Sequence, residues 1–195
     1  MSSGSPASVP NPASATPPGD ELKAALLAHL GGPYQPPVAV TVSATVPQTN
    51  PATAGPTPAA SVSLTVRALA VQPYGCALEE IELQVPHLTN ASMDILKKWA
   101  NALCQKVTYL LESLGPLEFD VDGQEVLIRS MPPSPLPSSK RYYEIRLSTL
   151  GAGKFLLGRY EANPGQPRQR QPLELGMEQV VRLGNDLITT LPESP

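Results

Sequence analysis

Twelve prolines stand in the first 60 residues (Pro6, Pro10, Pro12, Pro17, Pro18, Pro33, Pro36, Pro37, Pro47, Pro51, Pro56 and Pro58), half of the 24 in the chain. Each locks φ and removes a backbone donor, so long helices and central strands cannot run through them. The rest of this stretch is mostly Ala, Ser, Thr, Gly and Val, with almost no aromatics. Such a composition cannot bury enough apolar area to offset chain entropy. The sequence therefore predicts a disordered Pro/Ala/Ser/Thr-rich region over 1–60, one folded domain over 61–191, and a disordered end at 192–195.

Two segments inside the proline-rich region carry local signals. In "GDELKAALLAHLGGP", Asp20 can cap a short helix over about 20–30 and Gly31-Gly32-Pro33 can stop it. Leu22, Leu26 and Leu30 share one face of that helix, which suits a docking segment, in cis on the domain or in a partner's groove. "VAVTVSATV", residues 38–46, alternates like a strand that could add to a sheet edge. Its Val40-Thr41-Val42 and Ala44 echo Leu64-Thr65-Val66 and Ala68, a match that Val/Thr/Ala bias produces without any repeat.

From residue 61 the pattern is regular. "SVSLTVRALAV" and "LEEIELQV" alternate with period two, the second with Glu80, Glu82 and Gln84 outward. "SMDILKKWANALCQKVTYLLESLG" then switches to helical spacing, with Ile95, Leu96, Trp99, Leu103, Val107, Leu110 and Leu114 on one stripe. Thr89, Asn90 or Ser92 can cap its start, and Gly115-Pro116 is expected to end it. "LEFDVDGQEVLIRS" reads as a hairpin turning at Asp122-Gly123. "KRYYEIRLSTL" and "KFLLGRYEA" form a second pair across Gly151-Ala152-Gly153. "GMEQVVRLGNDLITTL" closes as a helix with Met177, Val180, Val181, Leu187, Ile188 and Leu191 on one face. The fold class expected is α+β: an antiparallel sheet of about six strands, with one long central helix and a C-terminal helix packed on one face.

Motifs with chemistry are weak. Gly151-Ala152-Gly153-Lys154 lacks the first glycine of a phosphate loop, has Phe155 where a hydroxyl should follow, and precedes a strand rather than a helix. "DVDGQE" opens like a calcium loop but lacks its later ligands. His29 and His87 have no nucleophile in a recognisable pattern. Glu79, Glu80 and Glu82 read as a solvated strand face, and Trp99 as core. Cys76 and Cys104 match neither a disulfide framework nor a zinc spacing, so buried reduced thiols in a cytoplasmic protein are expected. No secretory leader and no membrane-spanning run is read. No catalytic residue, metal or cofactor is assigned.

Charge is the remaining signal. The net value is −3, yet residues 129–170 carry eight basic side chains against Glu144 and Glu161. Residues 79–125 carry nine acidic side chains against Lys97, Lys98 and Lys106. Such polarity can steer a partner, or two halves of one sheet can attract each other. "NPGQPRQRQP" reads as a turn followed by an extended polyproline-like segment, Gln166 to Pro172, presenting Arg168 and Arg170. Arg141, Arg146, Arg159, Arg168 and Arg170 are thus candidate contacts for an acidic protein surface or an anion. The leading expectation is a non-enzymatic protein-interaction or adaptor domain with a tethered tail. The alternative is an anion- or nucleic-acid-binding module using residues 129–170, nucleic acid being disfavoured by a pI near 5.4 and few aromatics. An enzyme whose groups meet only in the fold is the third. At the level of fold alone, a small acidic α+β chain of this kind resembles the secretion chaperones, a likeness that no motif carries.

Overall fold

A computed structural model of the chain describes residues 16–47, 59–136 and 139–193. In chain order the elements are α1 (Pro18–Leu27), β1 (Val38–Val46), β2 (Ala60–Gln72), β3 (Gly75–Val85) and a 3-10 turn (Pro86–Leu88). Then come α2 (Met93–Lys106), β4 (Leu114–Asp120), β5 (Glu125–Ser130), β6 (Ser134–Pro135), β7 (Lys140–Ser148) and β8 (Gly153–Ala162). β9 (Gln169–Gln171), β10 (Leu173–Gly176) and α3 (Met177–Thr189) complete the chain. All strand pairings are antiparallel, in the order β1-β2-β3-β8-β7-β5-β4. β10 pairs with β3, β9 with β8, and β6 with β7.

The α+β class is as expected. The strand number is corrected from about six to ten among the described residues. The additional members are β1 and three pieces of two to four residues, too short to show a period. β9 lies in the segment expected to run as a free extended loop.

Register explains how the sheet separates a dry face from a wet one. Across the strands, Val42, Leu64, Leu83, Phe155, Leu147 and Val126 stand in one row, and Val40, Val66, Ile81, Leu157, Ile145 and Ile128 in another. Every one of these side chains is buried. The rows between them read Thr41, Thr65, Glu82, Leu156, Arg146, Leu127, Glu118 and Ser43, Ser63, Gln84, Lys154, Ser148, Glu125, Asp120. Alternation of side chains across the pleat does this sorting. The helices cover the dry face: α1 packs on α3, β1 and β2, α2 on β4, β5 and β7, and α3 on β3 and β10.

The domain boundary expected at residue 61 moves towards the amino terminus. α1 and β1 belong to the folded body, with Leu22, Leu26, Val40 and Val42 all in the core. A composition averaged over 60 residues hides the few side chains that reach a surface already made by α3 and β2. The close approach of α1 to α3 requires Gly19 and Gly184. A Cβ on Gly184 would lie 2.9 Å from the Gly19 Cα, and the Gly19 N–H donates to Asn185 Oδ1 at 2.9 Å. Expected disorder over residues 1–15 and 48–58, and at residues 194 and 195, lies outside the described residues.

The central helix is also corrected. α2 stops at Lys106, and Gly115-Pro116, expected to terminate it, lies inside β4. Val107 leaves the helical region (φ −87°, ψ 73°), and it opens a Val-Thr pair whose β-branched side chains crowd a helix. Val107, Leu110 and Leu114 are buried all the same. Apolar residues spaced like a helix therefore reach the core from an irregular link. Ser92 occupies the N-cap position without donating or accepting a side-chain cap bond. Trp99 is 1% exposed, as a core residue should be.

Candidate functional site

The wet face of the sheet collects most of the charge that the sequence separates into an acidic and a basic segment. Glu144, 4% exposed, accepts from Arg129 Nη2 at 2.9 Å and from Arg168 Nη1. Glu80 accepts from Arg67 Nε at 3.0 Å and from Arg170 Nη1. Glu82 pairs with Lys154 at 2.9 Å, and Glu125 with Arg146 at 3.0 Å. Tyr142 and Tyr160 stack with centroids 6.1 Å apart. The Arg129 guanidinium lies 4.5 Å from the Tyr142 ring, and those of Arg168 and Arg170 lie 4.4 Å and 5.5 Å from Tyr160. Flat guanidinium groups suit ring faces and paired carboxylates alike. The segment from Arg168 to Gln171 is thereby held onto the sheet by Glu144, Glu80 and Tyr160, as well as by its pairing with β8.

The five candidate arginines do not form one patch. Arg146, Arg168 and Arg170 are on the wet face. Arg141 and Arg159 share the opposite side with Tyr143, since Arg141 stands across from Glu161 and Tyr143 across from Arg159. Arg141 Nε donates to Glu161 at 2.7 Å, and Ser139 Oγ donates to the same carboxylate at 2.8 Å. Arg159 lies 5.1 Å from the Tyr143 ring. Four of the five thus already hold a carboxylate within the chain, and an incoming anion would compete with it. Of the three leucines, Leu22 and Leu26 are buried in cis, whereas Leu30, 55% exposed, lies beyond the helix.

The other singled-out residues have structural settings. Gly151 takes φ +81° in the β7–β8 turn, and a Cβ on Gly153 would strike the Val85 carbonyl and Leu88. The glycines make the turn and let β8 close on β3, while Lys154 binds Glu82. Asp120 Oδ1 accepts from the Gly123 N–H at 2.9 Å in the β4–β5 turn. Burial lowers the His87 pKa, only partly offset by the Pro192 carbonyl beside its Nε2. Burial pushes the Cys76 and Cys104 thiols up to about 11, so thiolate is scarce near neutrality. No group of three or more His, Cys, Asp or Glu side chains is placed to hold a metal ion among the described residues.

One concavity borders the wet-face charges and another lies among the helices. The first, of about 200 Å³, is lined by Glu118, Asp120, Glu125, Leu127, Glu144, Arg146 and Arg168. The second, of about 470 Å³, lies along α1 and α3, at Asp20, Lys23, Arg182, Asn185 and Asp186. Asp186 is 7% exposed, with Lys106 Nζ at 3.8 Å and Arg182 Nε at 3.6 Å. Burial, and then the Asp186 charge, push the Tyr109 hydroxyl pKa up, so this phenol stays protonated at physiological pH.

The surface that sequence reasoning missed lies along β4, an edge of the sheet. Leu111, Leu117, Phe119, Val121 and Met131 are five of the eight exposed large hydrophobic residues among those described. Leu117 and Phe119 lie on the strand itself, Val121 is the first residue of the turn after it, and Met131 runs beside Gly115. Lys97 of α2 sits 5.7 Å from the Phe119 ring. Glu118 and Asp120 face the wet side of the same strand, next to the 200 Å³ concavity. The signal was present as apolar–acidic alternation in "LEFDVD". Its exposure depended on α2 ending at Lys106, which leaves the dry side of β4 half covered.

Comparison with protein-family models, with curated proteins and with solved structures finds no match to this chain. No helix among the described residues is long and apolar enough to cross a membrane.

Proposed function

We propose that the chain is a non-enzymatic protein-interaction domain, acting in the cytoplasm, whose contact surface is the β4 edge. The exposed apolar side chains on and beside β4, Leu111, Leu117, Phe119, Val121 and Met131, carry this reading. Contiguous apolar surface bordered by polar residues is the usual mark of a protein contact. Here the border is acidic, at Glu118 and Asp120, so the fitting partner presents apolar side chains beside basic ones. The arginines of the wet face support the reading indirectly: engaged by Glu80, Glu125 and Glu144, they act as internal cross-ties that keep the sheet rigid behind its edge.

The test is a paired capture from native extract with the full chain and a Leu117→Ser/Phe119→Ser/Val121→Ser variant, quantified by mass spectrometry. The substituted side chains are 45 to 66% exposed, so an unchanged circular dichroism melt is expected. A discrete set of proteins should be retained by the first bait and lost from the second. Equal recovery by both baits would remove the β4 edge as the contact surface.

A further inference from the structure

The two edges of the sheet are built differently. β4 carries Pro116, a register shift between Pro116 and Glu118, and the carboxylates Glu118 and Asp120. Proline, bulges and charge are the devices by which sheet edges avoid pairing with other chains. β1, at the opposite end, has none of them. Val38–Val46 is nine residues long, contains no proline and no charge, and pairs with β2 without a register shift. Among the described residues nothing pairs with its outer edge. The dry-side residues Val38, Ala44 and Val46 are only partly buried there.

We propose that β1 pairs antiparallel with β1 of a second copy of this chain, about a two-fold axis at Val42, to give one sheet running through a dimer. The strand is self-complementary about that point: Val38 would face Val46 of the partner, Ala39 Thr45, Val40 Ala44, and Thr41 Ser43. Apolar side chains meet apolar ones on the dry side, and small residues, mostly hydroxyl-bearing, meet on the wet side. No like charges oppose each other, and a two-fold interface of this kind closes on itself. The inner edge of β1 already displays this chemistry. Its Val40-Thr41-Val42 pairs antiparallel with the similar Leu64-Thr65-Val66 of β2, with Thr41 Oγ1 and Thr65 Oγ1 2.9 Å apart. Because β4 is protected, assembly stops at two copies. The proposal is independent of the β4 contact surface.

Light scattering after size exclusion tests it on the full chain. Small interfaces dissociate readily, so the series should span about 1 to 100 µM. The expected result is a molar mass that rises with concentration to twice the 20.6 kDa chain. Ala39 and Thr45 are exposed, so charges placed there leave the monomer fold intact, as a circular dichroism melt would verify. Ala39→Lys/Thr45→Lys sets lysine against lysine twice and should hold the mass at one chain throughout. Ala39→Lys/Thr45→Glu sets lysine against glutamate and should keep the dimer. A wild-type chain that stays monomeric overturns the proposal, including the outcome in which β1 amides exchange slowly because residues 1–15 or 48–58 cover the edge. A double-lysine variant that still dimerises overturns it too, as does equal dissociation of both variants.

Discussion

Glu144 shows how burial decides the worth of an ion pair. It is 4% exposed and serves Arg129 and Arg168 together, whereas Glu125 and Arg146 are 35% and 46% exposed. Removing one member of a buried pair leaves uncompensated charge, while exposed pairs are screened by water and salt. The two arginines of Glu144 are themselves about one-third exposed, which softens the penalty. Glu144→Ala should therefore lower unfolding free energy by about 2 kcal/mol, and Glu125→Ala by less than about 0.5 kcal/mol, in urea titrations. Equal losses would mean that the Glu144 cluster is no more than surface charge. The same residue explains why the arginines looked available in the sequence. Glu144 stands across from Arg129 on a neighbouring strand, and Arg168 is 24 positions away. Such partners are set by register, which local spacing does not encode.

At the scale of elements, α1 and α2 differ from expectation for opposite reasons. α1 has a weak local signal and becomes stable by laying Leu22 and Leu26 into the core against α3. Short helices owe their stability to such packing rather than to propensity. α2 has a strong periodic signal, yet the chain turns at Val107 because β4 must start at Leu114 to pair with β5. Tertiary pairing outweighs a spacing that both a helix and a folded link can satisfy. The α1–α3 contact is open to a sharp test. Alanine at an exposed helix position usually stabilises relative to glycine by up to about 1 kcal/mol. Gly184→Ala should instead destabilise by about 1 to 3 kcal/mol, because its Cβ would press on the Gly19 backbone. A raised melting temperature would show that the two helices do not touch there.

At the scale of the whole molecule, α1 and β1, within the proline-rich first third, are part of the body. Leu22, Leu26, Val40 and Val42 are at most 9% exposed. At roughly 1.5 to 3 kcal/mol for each buried aliphatic side chain, their loss rivals the 5 to 15 kcal/mol by which domains of this size are stable. A chain lacking residues 1–47 is expected to lose its cooperative thermal transition, followed by near-ultraviolet circular dichroism at Trp99. An unchanged transition would make α1 and β1 passengers. The same scale governs the charge separation. The acidic and basic segments, each with an excess of six charges in the sequence, are tied to each other on the wet face by Glu80–Arg170, Glu82–Lys154 and Glu125–Arg146.

By itself the sequence determined what local chemistry can determine. Period-two alternation marked six of the longer strands, and Asp122-Gly123 and Gly151-Ala152-Gly153 placed two hairpins. The apolar stripe around Trp99 located a helix, and mismatches at Gly151 to Phe155 excluded a phosphate loop. Tertiary structure alone decided where α2 ends, that Leu22 and Leu26 are core, which carboxylate each arginine holds, and which strands become edges. These depend on contacts between residues far apart in the chain. The free energy of such contacts resides in register and in shared burial, and neither quantity exists until the sheet has formed.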